Sequence, residues 1–96
     1  MVSAQLNLDD VKAYDGPLKY VRVGDEFRFC EFSIDGRGPY HDSLVEEGEF
    51  VVSAGVILIM KRFFKIPDDA FSTTLNIGPA DDDVELLSKI LDRQNR

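Results

Sequence analysis

The sequence has very little of the residues that build covalently or metal-stabilised folds. It contains one cysteine, Cys30, and one histidine, His41, among 96 residues. One cysteine cannot form an internal disulfide framework, and one cysteine with one histidine cannot complete the four ligands of a structural zinc site. We therefore expect a fold held together by packing, with no metal and no cofactor. The absence of a disulfide framework also suits the reducing environment of the cytoplasm.

Long apolar runs and an excess of positive charge are also absent. No stretch approaches the roughly 18 apolar residues of a membrane span, and the first residues lack the basic and apolar regions of a signal peptide. The 18 Asp and Glu residues outnumber the 11 Lys and Arg residues, which gives a formal net charge of -7. This charge repels phosphate backbones and anionic lipid. We therefore expect an unidentified protein or small ligand as partner, and neither nucleic acid nor a membrane.

The composition is that of one small globular unit. With 44% hydrophobic and 30% charged residues in 96 positions, the chain has material for a single core. We predict one α+β domain over residues 1–96, present as a monomer or a small homo-oligomer. Residues 1–16 are expected to form a loosely ordered N-terminal arm with one optional helical turn, because their apolar pattern is too short for an independent helix.

The residue pattern predicts an antiparallel hairpin followed by further elements. Two β-rich runs flank the two-residue loop Gly24-Asp25, a combination typical of hairpins. The central run is apolar on both alternating faces, as in a strand covered on two sides. In order, the predicted elements are strand Leu18–Val23, strand Glu26–Ile34, a short helix Tyr40–Glu47, strand Phe50–Met60, strand Phe71–Ile77 and helix Asp81–Leu91. The β-β-α-β-β-α order indicates a mainly antiparallel four-stranded sheet with two helices packed on one face.

His41 is the candidate catalytic residue, because its side chain alone has an ordinary pKa near neutrality. It follows a Gly-Pro break at the start of a predicted helix, where free backbone N–H groups could bind a phosphate or carboxylate. Lys19, Arg22 and Arg37 are the cations best placed in sequence to reach such an anion. Each also fits an ordinary surface role, with His41 a half-exposed residue near a helix start.

Two other polar groups have simpler interpretations. Ser72, Thr74 and Asn76 share one face of a predicted strand and could bind phosphate or a polar peptide, although a solvent-facing strand surface is the favoured interpretation. The acidic residues at the start of the last predicted helix lack the spacing of a calcium loop, so we interpret them as capping that helix. Cys30 is expected to pack in the core.

Two resemblances accompany these patterns. His41 with Leu44, then Val52–Gly55 and Ser72–Ile77, resembles short bacterial and phage proteins without known activity. The sequence Leu18–Val21 is also similar to the first-strand Phe-Lys-Tyr-Val of the Janus-type phosphohistidine phosphatases.

Two further segments resemble the same phosphatase family. Tyr40-His41 resembles their active Tyr-His, and Ile77–Ala80 resembles their Tyr-Gly-Pro-Ala. This second resemblance implies that His41 is a catalytic base or nucleophile. It also implies that Lys19 contacts phosphate and that Thr74 stands where the family has a phosphate-binding serine.

Two functional hypotheses result. The first is a small cytosolic α+β domain that acts as a non-catalytic binding or interaction protein. The alternative is a phosphohistidine-phosphatase-like or phosphate-binding domain that acts through His41, with Lys19, Arg37 and Thr74 as ligand-binding residues. Whether the chain is an enzyme is left open by the residues.

Overall fold

A computed structural model describes residues 5–32, 44–67 and 77–95. Its elements, in chain order, are α1 Leu8–Lys12, β1 Gly16–Val23, β2 Glu26–Glu31, β3 Val51–Ile59, β4 Phe63–Lys65, α2 Asp83–Leu91 and β5 Gln94–Asn95. The strands lie in the order β2-β1-β3-β4-β5. The first four strands pair antiparallel, and the two-residue β5 runs parallel to β4. The predicted α+β class with an antiparallel sheet is therefore confirmed.

The hairpin predicted around Gly24-Asp25 is present. Val23 pairs with Glu26 at the loop, and the antiparallel register continues to Leu18 opposite Glu31. Gly24 has φ 61°, a left-handed value that glycine adopts without strain and that type II′ turns require at their first loop position. The loop therefore connects two strands whose right-handed twist it matches.

β3 is the middle strand of the sheet, as its two-sided apolar pattern indicates. Ile57 and Ile59 are fully buried on the face that carries the helices, and Ala54 is fully buried on the other face. Val56 and Leu58 are only half-buried. Burial of β3 is therefore more complete on the helix-covered face.

The core is divided into two clusters by the sheet. Both helices contribute to the larger cluster, which contains Val11, Leu18, Tyr20, Phe27, Phe29, Ile57, Ile59, Phe64, Leu87 and Leu91. The smaller cluster lies on the opposite face and contains Val21, Cys30, Leu44 and Ala54. Cys30 is thus a core residue, as expected.

The predicted order of elements is wrong at its start. The described order is α-β-β-β-β-α with a short final strand, because a helical turn, α1, precedes the hairpin. Asn7 caps this turn by accepting a 2.8 Å hydrogen bond from the backbone N–H of Asp10, and Val11 is buried against the sheet. The optional turn of the predicted arm is therefore formed and packed, whereas residues 1–4 lie outside the described residues.

The helix predicted over Tyr40–Glu47 is not found where it can be examined. Residues 40–43 lie outside the described residues, Leu44 has 3₁₀ geometry, and residues 46–49 form a turn. Glu49 closes this turn through its carboxylate, which accepts a 2.7 Å hydrogen bond from the N–H of Glu46, and Gly48 has φ 89°. A positive φ at Gly48 ends any helical geometry, so a turn forms instead.

The fourth strand of the described sheet is one that the sequence does not predict. Of the predicted strand Phe71–Ile77, only the last residue is described, and the strand that pairs with β3 is the three-residue β4. Such a short run has too little periodicity to be recognised from sequence. Within the described ranges, neither helix has the length and apolar character needed to cross a membrane.

Candidate functional site

Most of the predicted site falls outside the described residues. This applies to His41, Arg37 and Thr74, and also to Ser72 and Asn76. No geometry is therefore assigned to the predicted pocket around the histidine.

Lys19 is the one residue of the predicted phosphate site, formed by His41, Lys19, Arg37 and Thr74, that the structure describes. It lies in β1, is 9% exposed, and pairs in register with Cys30. Its Nζ lies 5.9 Å from the ring centroid of Phe32, a cation–π distance. Because alternate residues of a strand face opposite sides, Lys19 and Arg22 lie on opposite faces of the sheet. The two cations therefore cannot serve one anion site.

Arg22 instead belongs to a buried polar cluster around Asp83, the first residue of α2. The carboxylate of Asp83 is 0% exposed and accepts hydrogen bonds from Tyr20 Oη at 2.7 Å, Ser53 Oγ at 2.9 Å and Arg22 Nη1 at 3.1 Å. The backbone N–H of Ala80 donates a further 2.8 Å bond. Such saturation is what makes a buried carboxylate tolerable.

The Asp83 cluster has a structural role. Burial, followed by the hydrogen bond to Asp83, raises the pKa of Tyr20 above its usual range, so the phenol stays protonated. The oxygens of Asp83 already accept from every member of the cluster, which leaves the carboxylate poorly placed to act as a general base. Sequence analysis interpreted Asp83 as a capping residue and missed its partners in β1 and β3.

Arg22 connects the cluster to the surface. Its Nη1 lies 2.7 Å from an oxygen of Asp82, its Nη2 lies 3.6 Å from Asp25, and its Nε donates to the carbonyl of Gly24 at 2.7 Å. The hydrogen bond from Arg22 lowers the pKa of Asp82. The guanidinium of Arg22 therefore already pairs with carboxylates of this chain.

A second arginine, Arg28, braces the turn before β3 from the other face of the sheet. Its two Nη atoms donate to the two carboxylate oxygens of Glu49, each at 2.6 Å, and Nη1 also donates to the carbonyl of Leu44 at 2.8 Å. Its Nε pairs with Glu26. The hydrogen bonds from Arg28 lower the pKa of Glu49 to about 2. This bidentate pair fixes the segment that leads to Phe50.

Carboxylates concentrate at this end of the sheet, which we call the acidic end. Among the described residues it contains two arginines, Arg22 and Arg28, and seven carboxylates: Asp25, Glu26, Glu46, Glu47, Glu49, Asp82 and Asp83. Phe50 lies beside them, immediately before β3, and is 80% exposed. An exposed aromatic ring thus stands within a strongly negative surface.

The opposite end of the sheet carries an open cleft of about 560 Å³, which we call the basic cleft. Its lining residues are Arg62, Ser88, Lys89, Asp92, Arg93 and Gln94. A smaller depression of about 350 Å³ lies beside the start of α2 and is lined mainly by apolar residues and prolines. The two surfaces with pronounced charge, the acidic end and the basic cleft, therefore lie at opposite ends of α2.

Comparisons of the chain with protein-family models, curated proteins and solved structures give no match. Function is therefore inferred from the geometry of the described residues.

Metal and thiol chemistry receive no support in the described part of the chain. There, no group of three or more histidine, cysteine or acidic side chains is arranged to hold a metal ion. Burial raises the pKa of the Cys30 thiol to about 11, so it is protonated near neutral pH. Because the thiolate is the nucleophile, Cys30 is a packing residue.

Proposed function

We propose that this chain is a non-catalytic binding domain that recognises a basic protein partner through its acidic end. The observation that carries the proposal is the exposure of Phe50, whose side chain is 80% accessible. Leaving such a side chain in water forgoes roughly 1.5–3 kcal/mol of burial free energy, which a partner with an apolar pocket would recover. Aromatic residues, phenylalanine among them, are enriched at protein interfaces, where they can serve as buried anchors.

The support for Phe50 is rigid. The preceding residue, Glu49, is held by two hydrogen bonds from Arg28 and one from the backbone N–H of Glu46. The following residue, Val51, pairs with Val23 in the sheet. A residue presented from a fixed backbone loses less conformational entropy on binding, which favours recognition by a partner.

The charge around Phe50 indicates the kind of partner. With seven carboxylates and two arginines among its described residues, the acidic end has the same sign as the chain's net charge of -7. Such a field attracts lysine- and arginine-rich surfaces and raises their association rate. It repels phosphate groups, which supports a protein partner.

The Asp83 cluster favours binding over catalysis. Its hydroxyl, phenol and guanidinium donors are all directed at one buried carboxylate. The alternative is the phosphohistidine-phosphatase-like or phosphate-binding domain acting through His41. Of the residues proposed for that activity, Lys19 alone is described, so this alternative stays a prediction.

The direct test is an NMR titration of the ¹⁵N-labelled chain with a short synthetic peptide of alternating lysine and leucine. We expect saturating shifts at the amides of Glu46–Val51 and little change at those of Ser88–Gln94. A peptide with glutamate in place of lysine is the matched control and should cause no shift. Equal shifts at both ends of α2, or a response to the glutamate peptide, would contradict the proposal.

A further inference from the structure

We infer that the basic cleft binds a small dianionic ligand, either a phosphate monoester or a dicarboxylate. The inference starts from Arg93, which lines the cleft and is half-buried. Its Nη1 donates to the carbonyl of Met60 at 2.8 Å, and its Nη2 donates to the carbonyl of Lys12. Both acceptors are neutral, so the charge of the guanidinium is not cancelled by them.

Arg93 differs in this respect from the two arginines of the acidic end. Arg22 pairs with three carboxylates and Arg28 with two. Within the described ranges, Arg93 forms no ion pair with a carboxylate. The chain has a net charge of -7, so most of its surface repels anions. A half-buried arginine without a carboxylate partner is the position at which an anion gains the most favourable interaction free energy.

The orientation of Arg93 is fixed before any ligand binds. Lys12 is the last residue of α1 and Met60 follows β3, so the two carbonyls anchor the guanidinium to separate elements. A guanidinium has five N–H donors, and these contacts leave the others for a ligand in the cleft. Preorganisation of this kind lowers the entropic cost of binding.

The cations and the amide among the remaining lining residues fit the same ligand. Lys89 and Arg62 are exposed cations, and Gln94 adds an amide group, whereas the hydroxyl of Ser88 donates to the carbonyl of Val84 at 2.8 Å. The ion pair of Lys89 with Glu85 is 3.6 Å long and highly exposed, so an anion in the cleft can compete with it.

The charge balance of the lining sets the expected ligand. Among the described lining residues, three cations, Arg62, Lys89 and Arg93, exceed one carboxylate, Asp92, by two charges. A doubly charged anion therefore complements the cleft. The C-terminal end of α2, with its partial negative charge, repels an anion. We therefore expect weak binding that requires several cations together. The affinity should fall with added salt.

The test is an NMR titration of the ¹⁵N-labelled chain at low salt with phenyl phosphate and, separately, with succinate. We expect saturating shifts at the amides of Ser88–Gln94, with a dissociation constant in the millimolar range. The tighter of the two probes identifies the ligand class. The site is independent of the acidic end, so failure of either titration leaves the other proposal standing.

Two variants and a control make the outcome specific. Lys89→Gln and Arg62→Gln should each weaken binding about fivefold or more, as loss of one charge-assisted contact predicts. Lys65→Gln removes an equally exposed cation that does not line the cleft, and it should leave the affinity unchanged. The absence of saturating shifts with both probes, or equal weakening by Lys65→Gln, would overturn the inference.

Discussion

Tyr20 Oη donates a 2.7 Å hydrogen bond to Oδ2 of Asp83, 63 positions further along the chain, and both side chains are fully buried. This bond joins the second-outermost strand of the sheet to the first turn of α2. Because Ser53 and Arg22 donate to the same carboxylate, the position of α2 on the sheet depends on one acidic residue.

Replacement of Asp83 should therefore be costly. Asp83→Asn keeps the shape of the side chain but removes the charge that Arg22 faces and one of its acceptor atoms. We expect a loss of about 2–4 kcal/mol in the free energy of unfolding, measured by urea denaturation. Asp81→Asn, at an exposed position of the same turn, should cost less than about 0.5 kcal/mol. Equal costs for the two variants would show that the cluster does not stabilise the fold.

The hairpin and the central strand were predictable because their signals are local. Gly24-Asp25 indicates a turn through two adjacent residues, and the two-sided apolar pattern of β3 is contained within one run. The Asp83 cluster was not predictable in this way. Its donors Tyr20 and Ser53 lie 63 and 30 positions away, and no sequence spacing specifies that three such residues meet. The presence of polar Ser53 within an apolar strand was the one signal available.

The short elements were missed for a different reason. α1 buries only Val11 and forms a single turn, so its periodicity is too brief to separate from a loop. The turn that ends at Glu49 depends on Arg28, which lies 21 positions earlier. For the candidate site, the ligand-binding role of Lys19 stays a prediction, and the sequence contains no indication that Arg93 would be fixed by Met60 and Lys12.

The free energy of unfolding should fall at acid pH because Glu49 becomes protonated. Its pKa is lowered from an ordinary 4.5 to about 2 in the folded chain by Arg28. A carboxyl group with a depressed folded-state pKa stabilises the fold above its unfolded-state pKa, and this contribution is lost as the pH falls from about 4.5 to about 2. Glu49→Gln should reduce the dependence of the urea denaturation midpoint on pH across this range, whereas Glu47→Gln should not. A wild-type midpoint independent of pH over the same range would contradict the expectation.

Cys30 should be chemically silent in the folded protein. Burial raises the pKa of its thiol to about 11 and also blocks access to reagents. We expect negligible reaction with a disulfide reagent such as dithionitrobenzoate at pH 8, and complete reaction once urea unfolds the chain. Rapid reaction of the native protein would show that the smaller core cluster is open to solvent.

The two faces of β3 should respond differently to truncation. Ile57 is fully buried in the larger cluster, so Ile57→Ala should cost about 2–5 kcal/mol in the free energy of unfolding. Val56 is half-buried on the other face, and Val56→Ala should cost clearly less. If urea denaturation gave similar losses, the face that carries Val56 would be as tightly packed as the helix-covered face.

The phosphatase alternative makes its own prediction. His41→Ala should abolish phosphoramidate hydrolysis and the phosphate-dependent chemical shifts of the amides next to His41, while leaving those of Ser88–Gln94 and the melting temperature nearly unchanged. If the wild-type chain shows neither activity nor a phosphate response, the alternative fails without affecting the binding proposal.

The central claim is that Phe50 anchors a basic partner at the acidic end, and calorimetric titration with the lysine–leucine peptide tests it most directly. Phe50→Ala should weaken binding roughly tenfold or more, because the burial of the ring is lost. Leu8→Ala is the matched control, since Leu8 is also an exposed large hydrophobic side chain but lies on α1. Unchanged affinity for Leu8→Ala together with the loss for Phe50→Ala supports the account, and equal affinities for wild type and Phe50→Ala would contradict it.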